Sequence, residues 1–193
     1  MEPVKQFKKR QDKLQSIYTR CLLTRKISLP VAFIGKNIDM VIEEYIQNNF
    51  EGRCLVDGYI KPGSSKIITR SSGVIERGNN VSFEVVFECD TCFPVEGMKI
   101  TCSVKNIVKA GIRAESAHDV PSPIIVFIAR DHHFNMKYFN EVQVGDIITV
   151  RVIGQRFELN DKYVSIIGEL VKEKDFVPKQ KQPAKPRLII EED

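Results

Sequence analysis

Cys89 and Cys92 form a CxxC in the stretch FECDTCFP, residues 87 to 94. Two thiols at that spacing can hold half of a structural zinc site, act as a redox pair, or simply lie close together. A closed zinc site needs four Cys or His ligands, usually as two close pairs, and this chain has one such pair. His118, His132 and His133 read as loop residues without HxxxH spacing, and Cys102 would have to turn out of an apolar strand face to join them. A redox CxxC sits at a helix N-terminus, where the dipole lowers the thiol pKa. Cys92 is followed instead by FPVEGMKIT, which reads as turn and strand. Alternation in VSFEVVFEC puts Cys89 on one face with Val81, Phe83, Val85 and Phe87, and MKITCSVK puts Cys102 with Met98, Ile100 and Val104. These cysteines are therefore expected as small buried hydrophobes, with no metal and no redox role.

Other chemistry is equally sparse. The chain has no GxSxG, no GxxxxGK[ST] and no HExxH, and the adjacent Asp131, His132 and His133 read as a solvated loop rather than groups converging on one reacting atom. No catalytic residue and no cofactor are expected. Binding is better supplied. A five-stranded barrel can hold single-stranded nucleic acid by stacking bases on aromatics and placing Lys or Arg along the backbone. The candidates are Lys105 and Lys109 before a turn, Arg113 on the next segment, Phe127 and Arg130 on the third, His132 in the connecting stretch, and Arg151 and Arg156 on the fourth. The competing reading makes Phe127 a core residue and the cations ordinary surface.

The elements that must position these residues follow from periodicity. CLLTRKISLP, residues 21 to 30, reads as a strand stopped by Pro30. KNIDMVIEEYIQNNF carries Ile38, Val41, Ile42, Tyr45 and Ile46 at helical spacing, one continuous apolar stripe. Three β-like segments follow: RCLVDGYI, KIITR with its continuation to Ile75, and VSFEVVFEC. One helix over a small antiparallel sheet makes an α+β unit. MKITCSVK, AGIRAE, PSPIIVFIAR, VGDIITVRVIGQRFEL and KYVSIIGELV then give five short strands, the complement of a small closed barrel. Residues 172 to 193, rich in Lys and Pro, are expected to be a disordered tail.

The whole chain of 193 residues is 42% hydrophobic and carries a net charge of +4. Residues 1 to 26 contain eight Lys and Arg against Glu2 and Asp12, so a basic end sits on a near-neutral body, which suits an acidic partner. No apolar run approaches the ~20 residues that cross a bilayer, and five cysteines are an odd, uneven set. An intracellular protein without a membrane partner is expected.

The order of these segments resembles the stalk subunit of archaeal and eukaryotic DNA-directed RNA polymerases, the family of polymerase II subunit seven and its archaeal counterpart. KISLPVAFIGKNIDMVIEEYIQNNFEGRCLVDGYI is similar to the opening of that family's chains, VSFEVVFECDTCFPVEGMKITCSVKNIVKAGIRAE to their joint and first barrel strands, and FNEVQVGDIITVRVIGQRFELNDKYVSIIGEL to the last two strands of an S1 barrel, a kind of OB-fold. The resemblance covers residues 21 to 171. It implies a tip domain over 21–95 that docks on the polymerase core and an S1/OB-fold RNA-binding domain over 96–171, while the basic extension over 1–20 and the tail over 172–193 are extra to the family's pattern. Gly52, Gly58 and Tyr59 would belong to the docking tip, and Lys105, Lys109, Arg113, Phe127, Arg130 and Arg151 to the RNA-facing barrel.

The implied partners are polymerase core subunits, a smaller stalk subunit forming a heterodimer, and nascent single-stranded RNA. Such a chain is an accessory subunit without its own active site. It would reside in the nucleus of a cellular eukaryote, or in host cytoplasm or the virion if the polymerase is viral. Ile112 follows Gly111 where RNA-binding S1 domains usually carry an aromatic. A free-standing S1-domain factor binding single-stranded RNA in translation or RNA decay is the alternative, and an adaptor whose barrel never touches RNA is a third.

Overall fold

Alternating apolar residues pair two long strands, β1 (Thr19–Pro30) and β6 (Asn80–Cys92), antiparallel over their length, with Thr19 opposite Thr91 and Pro30 opposite Asn80. This computed structural model describes residues 16–171. The expected tail over 172–193 and most of the basic extension over 1–20 lie outside the described residues. On the other side of β6 lie β3 (Gly58–Ile60), β4 (Lys66–Arg70) and β5 (Val74–Glu76), with β2 (Cys54–Leu55) beyond β3. Helix α1 (Ile38–Asn49) begins after Asn37 and buries Ile38, Ile42 and Ile46. These share one apolar core with Leu23, Ile27, Val85 and Phe87 of the sheet. Tyr45, Phe50 and Phe87 continue that core as an edge-on and then a stacked ring pair, with centroids 5.9 and 6.0 Å apart. Burying each large aliphatic or aromatic side chain stabilises the fold by roughly 1.5–3 kcal/mol, so this stripe, not helix propensity, holds α1 in place.

Two segments are broken where the sequence suggests single strands. RCLVDGYI folds back on itself, with Cys54 opposite Tyr59 and Leu55 opposite Gly58, because Val56 and Asp57 form a two-residue turn before a glycine. Asp57 is held by an ion pair to Arg25 of β1. The run from KIITR to Ile75 likewise divides into β4 and β5 at the Ser71–Gly73 break, where the Ser71 N–H donates to the Glu84 carbonyl.

The second half closes into a barrel of five strands, β7 (Lys99–Val108), β8 (Gly111–Ser116), β9 (Ile124–Ala129), β10 (Ile147–Arg156) and β11 (Val164–Val171), in the order β10-β11-β9-β8-β7. All neighbouring pairs are antiparallel except β9 and β11. The result is an OB-like barrel with every edge used. The stretch DHHFNMKYFNEV contains a helical turn, α2 (Lys137–Glu141), whose Tyr138 and Phe139 are buried against the barrel core. No described helix is long and apolar enough to cross a membrane.

The CxxC spans both cores. Residues three apart on a strand face opposite ways. Accordingly Cys89 packs with the sheet and α1, while Cys92 packs with the barrel, together with Ile17, Cys54 and Tyr59. The joint is tied by backbone bonds, Cys54 N–H to the Asp161 carbonyl at 2.8 Å and Asn160 N–H to the Cys54 carbonyl at 2.9 Å, and by an edge-on contact of Phe93 with Phe157.

Gly58 is fixed by this joint, since its φ is +108° and a Cβ there would lie 2.6 Å from the Cys92 carbonyl oxygen. Gly58→Ala is expected to cost about 2–4 kcal/mol from backbone strain plus overpacking. Gly35→Ala, where a Cβ meets nothing within 4 Å, is expected to stay within about 0.5 kcal/mol of wild type, both read from urea unfolding.

Candidate nucleic-acid interface

The outer surface of β8 and β9 brings two of the sequence candidates together. Arg113 and Phe127 are register partners across this pair. Phe127 is 37% exposed although it lies in the apolar run IIVFIA, because its neighbours Val126 and Ile128 take the inward positions at 0%. The ring lies beside Gly111, where a Cβ would come within 3.1 Å of it, so the glycine leaves room for an aromatic on the outer face. Ile167 of β11 is opposite Phe127 on the other side and is 53% exposed. Ile112, at the position where the resemblance calls for an aromatic, is fully buried inside the barrel. The exposed ring of this surface thus comes from β9 and not from β8.

Cations border the pair at one end. Lys109 is exposed in the β7–β8 turn, and Arg130 follows β9 directly. Arg130 Nε donates to the Lys109 carbonyl at 2.9 Å, Nη1 donates to Asn140 Oδ1 at 3.3 Å, and its guanidinium lies 5.2 Å from the Phe139 ring centroid. Arg130 therefore fixes the turn that carries Lys109 and ties it to α2. Exposed His132 lies in the helical turn just after it. Arg113 has one neighbouring carboxylate, Glu115 Oε1, at 3.6 Å from Nη2.

Three other candidates lie elsewhere. Lys105 is exposed at a bulge of β7, between Val104 and Asn106. Arg151 is on β10, opposite Lys99 and Glu169, and forms an ion pair with the Glu169 carboxylate. Arg156 ends β10 and meets Glu158 Oε1 at 3.2 Å. Of the residues assigned by resemblance to a docking tip, Tyr59 is 2% exposed and packs in the joint, Gly58 backs onto Cys92, and Gly52 follows α1 with its N–H bonded to the Ile60 carbonyl. These three shape the sheet's end of the joint.

The cysteines show the electrostatics of burial. Removal from water pushes the Cys89, Cys92 and Cys102 thiols up to about 12 and Cys54 to about 11, with Asp119 adding to the effect at Cys92 and Asp161 at Cys54. Burial thus holds all four in the thiol form near neutral pH.

His133 has a role in the fold that its sequence context does not reveal. Beside the exposed His132, it is 3% exposed, with Nδ1 2.7 Å from the Ala129 carbonyl, which fixes that nitrogen as the donor. Its Nε2 accepts from the Leu170 N–H at 2.9 Å, and its ring stacks on Phe139. One imidazole thus joins β9, α2 and β11 at the end of the barrel nearest Lys109. Only a buried N–H awaiting an acceptor distinguishes the two histidines, and that is a property of β11, not of the local sequence.

No family model matches the chain. A protein of Acanthamoeba polyphaga mimivirus, described as a candidate DNA-directed RNA polymerase subunit, is 28% identical to it in an alignment 176 residues long that covers 81% of this chain and 83% of that protein.

The adjacent histidines give a direct contrast. His133→Ala leaves the Leu170 N–H and the Ala129 carbonyl without their partner, and is expected to lower stability by about 2–4 kcal/mol. His132→Ala is expected to change it by less than about 0.5 kcal/mol in the same denaturant titration.

Proposed function

We propose that this chain is a non-catalytic subunit of a multisubunit DNA-directed RNA polymerase, docking through its helix-and-sheet half beside a smaller partner subunit and contacting nascent RNA with its barrel. The observation that carries this reading is the extent of the similarity to the mimivirus protein, because it runs through 81% of the chain. The relative's name and the order of segments in the sequence point the same way by separate routes. A polymerase of a related virus would place the subunit in host cytoplasm or in the virion.

RNA contact is assigned to the β8–β9 surface. Phe127 offers a face for a base, Arg113 and Lys109 offer charge to the backbone, and His132 and Arg130 extend the same end. Lys105 lies on the adjoining strand as an outlying contact. Arg151 and Arg156, on β10 with carboxylates beside them, are secondary. Gly52, Gly58 and Tyr59 serve docking indirectly, by setting the shape of the sheet next to the barrel.

Affinity purification of the tagged chain from cells where it is made, followed by mass spectrometry, tests the assembly. Large polymerase chains should co-purify in stoichiometric amount. Recovery of the chain alone, still able to bind single-stranded RNA, would replace this reading with the free-standing RNA-binding factor. For the surface, a Lys109→Ala, Arg113→Ala double variant should bind single-stranded RNA more weakly, with the slope of log K against log salt smaller by about 1.4. Phe127→Ala should weaken binding by roughly 1–3 kcal/mol with little change in that slope. Unaltered affinity in both variants, measured by fluorescence anisotropy, would remove RNA from this surface.

A further inference from the structure

Cys21 and Cys89 are direct register partners across β1 and β6, so their side chains leave the same face of the antiparallel pair. Opposed residues of such a pair have Cα atoms roughly 4.5–5.5 Å apart, within the distance that a disulfide spans. The Thr91 hydroxyl lies 3.2 Å from Cys21 Sγ and 3.3 Å from the Thr19 carbonyl oxygen, which share its one proton. Thr91 is two positions beyond Cys89 on the same face, so the contact places the Cys21 sulfur over β6. The two thiols differ in access. Cys89 is 1% exposed, whereas Cys21 is only part-buried and lines an open groove of about 420 Å³ with Thr19, Val56, Asp57, Thr91 and Phe93. Among the described residues β1 pairs with β6 alone, and an edge strand can move by the fraction of an ångström that bond formation needs.

We propose that Cys21 and Cys89 are a reversible thiol-oxidation site, in which Cys21 reacts first with a small disulfide of the glutathione class and Cys89 then closes a cross-strand disulfide. In the first step the Cys21 thiolate attacks one sulfur of oxidised glutathione, a Cys21–glutathione bond forms, the original S–S bond breaks, and one glutathione thiolate leaves. In the second, Cys89 gives its proton to solvent and attacks Cys21 Sγ, which releases the second glutathione. The protein pair loses two electrons and two protons, and the glutathione disulfide gains them.

The order follows from access, since the groove admits the reagent only to Cys21, while Cys89 is buried and burial pushes its thiol up to about 12. The other thiols are poorly placed. Cys92 points away from Cys89 into the barrel core, and Cys54, Cys92 and Cys102 are each 0% exposed. The product would fasten the edge strand to the central strand of the sheet.

The test treats the full chain with oxidised glutathione, quenches it with N-ethylmaleimide at intervals, and maps peptides by mass spectrometry. The expected course is transient glutathione on Cys21, then a chain lighter by two hydrogens with a Cys21–Cys89 crosslink that dithiothreitol reverses. Cys89→Ala should stop at glutathione on Cys21, and Cys21→Ser should slow all oxidation at least tenfold. A crosslink between other cysteines, stable glutathione on wild-type Cys21 without closure, or no reaction at Cys21 would each overturn the proposal. The wild-type time course decides the matter even if Cys89→Ala fails to fold.

Discussion

The helix-and-sheet half of this molecule is registered against one continuous strand, which also reaches the barrel core. β6 runs thirteen residues, and β1, β3, β4 and β5 all pair with it. Its side chains serve two cores in turn, with Val85, Phe87 and Cys89 beneath α1 and Cys92 in the barrel cluster. Because a strand has a period of two, a one-residue slip in its pairing would turn every one of these groups to the wrong face. The strand cannot shift for one half of the protein without misplacing the other. The backbone bonds around Cys54 and the contact between Phe93 and Phe157 reinforce the same register from outside.

That dependence explains what could be read from the sequence. Long periodic runs were legible because burial imposes their pattern: the stripe Ile38, Ile42, Ile46 and the alternation in VSFEVVFEC both lie where their spacing places them. The five barrel segments were legible for the same reason, and the closed barrel follows them. Short elements were not. A hairpin turning at Val56 and Asp57 hides inside an apolar run, and α2 has five residues, too few to show a period. Phe127 was ambiguous in principle, since IIVFIA is apolar throughout and parity cannot choose a face. Its pairing with Arg113 across β8 makes that choice, and pairing is a long-range fact. His133 was hidden by chemistry, as a buried imidazole and a solvated one are the same letter.

The barrel's outer surface also shows how a nearly neutral body can present charge. Arg113 on β8 and Arg151 and Arg156 on β10 each have a carboxylate within reach, and Arg130 spends its donors on the Lys109 carbonyl and Asn140. Exposed ion pairs of this kind contribute about 0–1 kcal/mol, so they hold the guanidinium groups in place at little cost to a competing phosphate. Aromatic contact at Phe127 does not depend on salt in the same way.

The pairing of Thr19 with Thr91 has a temporal side. On a ribosome each residue of β1 emerges about 50–70 residues ahead of its partner, and at roughly 5–20 residues per second that is an interval of about 3–14 s. Throughout it Leu23, Ile27 and Leu29 have no sheet to join. Factors that shelter a growing chain would meet these side chains before the barrel is finished, because its last stave must wait for Val171.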